Sequence, residues 1–187
     1  MARSAYPFVL QGASAHPSSP AESLSPLQRA RWYVARPFLW KELCTPLAEG
    51  RRYHLLDSSE TAEVWLIAWS PGVRLEMHDH GGVSGAFFVV QGTLLERWMR
   101  KSDELQGEVQ ERLLLRGQSV AFDAGHLHEV SNPSESVAFS IHAYRPRLRF
   151  MNFYALETQG DWQPHARLEH EQWHMESTNF SSGRDEG

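Results

Sequence analysis

The sequence predicts an all-β protein, a sandwich or barrel of many short strands preceded by short helices. Beyond Arg51, strand-like segments rich in Val, Ile, Leu, Phe, Trp and Tyr follow one another at close spacing. Short turn clusters punctuate them: DSSE, SPG, GG, KSDELQGE and NPSE. Strands so closely spaced leave no room for the helical crossovers of βαβ units.

Taken in order, residues 1–24 form a Ser-, Pro- and Ala-rich stretch read as a flexible lead-in. A single domain is expected over residues 25–160, followed by a partly disordered extension over 161–187. Ser25 can cap a helix with Pro26 at its first position, and Pro37 then interrupts, so two short helices are expected. The strand candidates are RYHLLDS, AEVWLIAWS, VRLEMH, GAFFVVQG, TLLERWMR, VQERLLLRG, QSVAFDAG, HLHEVSN, ESVAFSIHAYR and RFMNFYAL.

Bulk properties narrow the function. The chain has 187 residues, of which 41% are hydrophobic and 22% charged, an ordinary globular balance for one domain with a real core. Seven Trp, nine Phe and five Tyr suggest a large-residue core or a well-lined pocket. A net charge of -5 argues against nucleic-acid or acidic-membrane partners, which select basic surfaces. A single cysteine, Cys44, excludes an internal disulfide framework and fits a reducing compartment. No apolar run approaches the roughly 18 residues of a membrane span, and YPFVL is too short for a signal core. A cytoplasmic protein, monomeric or a small homo-oligomer, is expected.

His78 and His80 sit one residue apart, so on a strand they share a face while Asp79 points away. Two imidazoles so placed suit Fe, Zn, Cu or Ni, yet a bare pair equally describes a solvated strand face. The spacing around them is more specific: Gly72, five residues, His78-x-His80, four residues, Gly85, six residues, Gly92. A second segment runs from Gly117 through QSVAF, Asp123, Gly125, His126, His128 and Asn132. Together they resemble the two cupin motifs, and the resemblance implies a jelly-roll-type double-sheet barrel with His128 as a third metal ligand. The usual cupin carries a glutamate ligand where this chain has Gly85, so the implied site is three neutral histidines. By alternation His126 and Glu76 are lesser candidates.

Ser140, His142 and Tyr144 alternate along a third segment and can form a hydroxyl–imidazole–phenol chain. Burying such a set without partners is costly, so an internal network is expected. Three histidines without the glutamate, followed by SIHAYRP, resemble the cysteine dioxygenase family over roughly residues 37–156. The resemblance implies Fe(II) held by His78, His80 and His128, to which the substrate thiolate and O2 bind; both oxygen atoms pass to sulfur, giving a sulfinic acid. It places Tyr144 over substrate and metal, supported by His142 and Ser140. Mammalian-type members cross-link that tyrosine to a cysteine at the position of Gly85, so no thioether is expected here. Members also carry Tyr-x-Arg on the first strand, the arginine pairing with the substrate carboxylate. This chain has Arg51, Arg52 and Tyr53 there, with Arg51 and Tyr53 in reversed order; Arg51 could reach across the pocket, or Arg52 after a one-residue slip.

The function expected is Fe(II)-dependent oxidation of a small thiol, L-cysteine, by O2. The alternatives are 3-mercaptopropionate, another thiol carboxylate or a larger thiol as substrate. Beyond these stand a non-redox cupin that binds a small ligand and, further off, a metal-dependent isomerase or hydrolase.

Overall fold

The computed structural model describes residues 20–101, 108–157 and 161–170. Most of the expected lead-in, the centre of the KSDELQGE turn and the tail beyond residue 170 lie outside the described residues.

Helix α1 (Pro26–Val34) begins at its expected cap. The Gln28 N–H donates to Ser25 Oγ, and the Ser25 N–H donates to Gln28 Oε1, which satisfies two donors that a helix start leaves open. Ala30 and Tyr33 enter a core cluster with Phe88, Phe139 and Ile141. Buried Arg29 donates to Asp57 Oδ2 at 2.9 Å and ties the helix to the first strand. The second expected helix is not α-helical. Pro37–Leu39 and Lys41–Leu43 are single 3-10 turns, because Trp40 between them leaves helical geometry (φ −142°). Its indole N–H donates instead to the Tyr33 carbonyl at 2.9 Å.

Two antiparallel sheets follow. One has the order β1 (Arg51–Ser58), β2 (Glu63–Trp69), β9 (Ala138–Arg145), β4 (Ser84–Gln91), β7 (Ser119–Phe122). The other has the order β11 (Trp162–Glu169), β10 (Phe150–Leu156), β3 (Arg74–Asp79), β8 (His126–Ser131), β5 (Thr93–Arg100), β6 (Gln110–Leu115). Trp65, Ile67, Trp69, Phe87 and Val89 of the first sheet join Leu75, Leu94, Val130 and Met151 of the second in the main core. The other face of the five-stranded sheet packs beneath α1 through Val64, Leu66, Ala68 and Phe88. Burial on both faces explains why β2, β4 and β9 read as nearly unbroken apolar runs rather than alternating ones.

The β11 strand is absent from the strand candidates read from sequence. WQPHARLE is polar, Pro164 sits at a β-bulge opposite Tyr154, and only Trp162 is fully buried. An edge strand tolerates such a pattern, since half its backbone groups need no partner strand. Trp162 closes a cluster with Met77, Met99, Leu127 and Tyr154.

Candidate metal centre

Strands β3 and β8 lie side by side, with His78 directly opposite His128. His80 follows one residue past the end of β3. The ring centroids of His78, His80 and His128 lie 4.6–5.0 Å apart, and one nitrogen from each falls within 4.8 Å of the other two. All three are buried.

Their remaining nitrogens test whether a metal fits. His78 Nδ1 donates to the Glu76 carbonyl at 2.7 Å, and His128 Nδ1 donates to Glu96 Oε1 at 2.7 Å. Each bond commits the ring proton to Nδ1 and leaves the Nε2 lone pair facing inward. Both nitrogens of His80 are buried without a hydrogen-bond partner. A buried unpaired imidazole nitrogen is costly, and a metal between the three rings would remove that cost for the His80 nitrogen that faces it. Burial also pushes the pKa of all three histidines down, most strongly for His78 and His80, reinforced by the neighbouring rings. The rings are therefore neutral, the form that ligates. The donor set fits a divalent ion.

Asp79 points to the opposite side, as alternation requires. It accepts from Lys101 Nζ (2.8 Å), Tyr154 Oη (2.7 Å), Asn152 Nδ2 (2.9 Å) and the Gly81 N–H (2.8 Å). These bonds clamp the strand between the two histidines. Simple alternation fails between Leu75 and His78, where the β3–β8 register shifts, so Glu76 faces out and sits 3.6 Å from His165. His126 is buried beside His128, but its ring lies between Phe122 and Trp98, with Nε2 donating to Glu96 Oε1 at 2.9 Å. It belongs to a second group, Glu96–His126–His128, behind the first.

The Ser140–His142–Tyr144 chain is present. Ser140 Oγ lies 2.8 Å from His142 Nε2, and Tyr144 Oη lies 3.3 Å from His142 Nδ1. Trp69 extends it, its indole N–H donating to Ser140 Oγ at 2.8 Å. That bond sets a direction. An indole N–H can only donate, and the buried Ser140 hydroxyl has no partner other than Trp69 and His142 among the described residues, so its own hydrogen turns toward His142 Nε2. The ring proton then resides on Nδ1, facing the phenol oxygen, and the Tyr144 hydrogen is left for the cavity. Burial holds His142 down to about 3 and pushes Tyr144 well above its ordinary range. The imidazole stays neutral and the phenol keeps its proton.

A small cavity between the sheets is lined by His78, His128, His142, Tyr144, Tyr53, Trp69 and apolar Ile67, Leu75, Val130 and Met151. His78 and His128 of the metal-type group thus share one space with Trp69, His142 and Tyr144 of the hydroxyl chain. Arg51 turns toward Trp69 and Tyr53, its guanidinium about 6 Å from each ring, and its Nη1 is buried without a partner. Arg52 turns the other way, donating to Thr45 Oγ1 at 2.6 Å and the Pro46 carbonyl at 3.4 Å.

Gly85 pairs with Tyr144 on one side and with Phe122 on the other. A Cβ there would run into the Phe122 ring and lie 3.0 Å from Tyr144 Cδ1. Phe122 thus fills the space left by the missing side chain and stacks on His80 (4.7 Å, 22°). Sequence reasoning passed over Phe122, Trp69 and Glu96. For Glu96 a signal existed: Leu94, Glu96 and Trp98 share one strand face, and a carboxylate at a core-facing register demands partners.

A double-sheet barrel carrying three buried histidines on adjacent strands defines a cupin with a metal-type site. More narrowly, the model of the cysteine dioxygenase type I family matches residues 28–157, and the chain belongs to that family. Among solved structures, the TT1209 protein of Thermus thermophilus is 28% identical (57% of this chain, 93% of that chain, TM-score 0.49). BH2720 of Bacillus halodurans is 16% identical (73% and 89%, TM-score 0.50). A cupin superfamily protein of Desulfitobacterium hafniense is 12% identical (60% and 92%, TM-score 0.47). No helix among the described residues is long and apolar enough to cross a membrane.

Proposed function

We propose that this protein is an Fe(II)-dependent thiol dioxygenase that converts L-cysteine and O2 to the sulfinic acid. The observation that carries this reading is a set of three neutral histidines, one without any partner, of which His78 and His128 line the same cavity as Trp69, His142 and Tyr144 of the buried Trp69–Ser140–His142–Tyr144 chain. His78, His80 and His128 would hold Fe(II), which when bound supplies a redox-active Lewis acid able to activate a thiol and O2 together. The protein's own part is positioning. Arg51 offers an unpaired buried guanidinium nitrogen to the substrate carboxylate. Tyr144 donates its phenol hydrogen into the cavity toward substrate or oxygen, with His142 and Ser140 keeping it oriented. The apolar walls limit water. A reducing compartment, the cytoplasm, would supply the free thiol.

One observation favours a second substrate, 3-mercaptopropionate: among the described residues, no carboxylate lines the cavity to pair with an ammonium group. The test is anaerobic Fe(II) loading followed by oxygen uptake against a panel of amino and non-amino thiols, with product mass. A gain of both oxygen atoms on one thiol supports the reading. Iron-loaded protein that oxidises no thiol sinks it, and zinc or no metal in anaerobically purified protein points to a binding module.

A further inference from the structure

The three histidines are not equivalent. His80 has no partner, His78 leans on a neutral carbonyl, and His128 alone leans on a carboxylate. That carboxylate, Glu96, is fully buried. Its Oε1 accepts from His128 Nδ1 (2.7 Å) and His126 Nε2 (2.9 Å), while Oε2 accepts from Arg112 Nε at 2.5 Å. A buried carboxylate is costly unless paired, and its neighbours on the same strand face, Leu94 and Trp98, are apolar. Packing alone gives no reason for it.

We infer that Glu96 is the positioning residue that supplies negative charge to the metal centre through His128, in place of the carboxylate that Gly85 cannot provide. This rests on the three-histidine metal reading above. A carboxylate accepting the Nδ1 proton makes the imidazole a stronger donor through Nε2, so His128 binds the metal with partial imidazolate character. Arg112 balances this from the other side: it sits on edge strand β6, partly exposed, and draws charge toward Oε2. Glu96 and Arg112 therefore act on the metal with opposite signs.

That opposition gives the test, made on the full chain loaded with Fe(II). Glu96→Gln keeps the size and an acceptor oxygen but removes the charge. It should weaken Fe(II) binding by roughly 10–100-fold in a chelator competition and raise the reduction potential of the bound iron. Arg112→Met leaves the Glu96 charge less neutralised and should lower the potential. A role in packing alone would not separate the two variants by sign. Unchanged affinity and potential in Glu96→Gln, or a shift of both variants in the same direction, overturns the inference. If Glu96→Gln does not fold, the Arg112→Met potential decides: lower supports, unchanged or higher refutes. Wild-type protein that binds no divalent metal would sink the metal reading itself, a failure distinct from a wild type that binds while Glu96→Gln makes no difference.

Discussion

Replacing Asp79 by Ala tests how strongly the scaffold behind the histidines holds the site. Asp79 accepts four hydrogen bonds, from Lys101, Tyr154, Asn152 and the Gly81 backbone. Removing one partner of a buried pair costs about 3–5 kcal/mol, but the Lys101 side chain is 41% exposed and regains water, so a lower figure applies. A second route gives a similar size. Burial works against the ionised form, yet the Lys101 and Tyr154 bonds hold Asp79 at about 2 against an ordinary 3.8. At about 1.4 kcal/mol per pH unit that shift corresponds to roughly 2 kcal/mol. Urea unfolding of the metal-free protein at neutral pH should therefore show a loss of about 2–3 kcal/mol. Asp79→Asn keeps the oxygen that accepts from Gly81 and Asn152, and should lose roughly half of that. Because the folded value is depressed, the contribution is fully present above 3.8 and lost as the pH falls through about 2. The gap between wild type and Asp79→Asn should close over that window. A loss under about 0.5 kcal/mol in Asp79→Ala would refute the clamp.

Trp69→Phe removes the donor that gives the Ser140–His142 bond its direction. The ring proton of His142 should redistribute, visible in its ¹⁵N resonances, and turnover should fall on the order of tenfold; an unchanged tautomer would count against the assigned direction. Arg51→Met should raise KM for thiol carboxylates by roughly 10–100-fold, the worth of one bond to a charged group, and spare a thiol lacking the carboxylate. Arg52→Met, whose guanidinium is engaged with Thr45 and Pro46, should leave KM alone, and the reverse pattern would reassign the anchor. Gly85→Cys should destabilise by about 1–3 kcal/mol through overpacking on Phe122 and form no thioether. Adding Phe122→Ala should relieve the strain; a single Gly85→Cys variant as stable as wild type would contradict the packing.

Most of the ten strand segments were legible because they bury apolar residues against a sheet or helix α1, and the turn residues between them mark where each one ends. The histidine positions were legible through spacing, since ligands on adjacent strands must recur at fixed offsets from the turns. Three kinds of feature were not. A polar edge strand such as β11 carries no period to detect. The shift between Leu75 and His78 reverses the face of Glu76, and no composition marks a bulge at that point. The partners of the histidines, Glu96 and Trp69, lie far from them in sequence and meet them only across the sheets. The arginine question was open for the same reason: whether Arg51 or Arg52 faces inward depends on the β1–β2 register, in which Arg51 stands opposite Trp69.

Gly85 and Glu96 answer one electrostatic requirement from two directions. A carboxylate at position 85 would stand beside Tyr144 and compete with substrate for room. Without it, Phe122 occupies that space and stacks on His80 and His126 alike. Glu96 reaches the three-histidine group through His128 Nδ1, so the carboxylate stays one imidazole away from any bound metal. Negative charge held at that distance strengthens a ligand without taking up a coordination position. In the proposed reaction, positions on a bound metal would then stay open for the thiol and O2. The burial of Glu96 is then the cost of keeping the charge close while keeping the cavity clear, and Arg112 and His126 are the groups that make that burial tolerable.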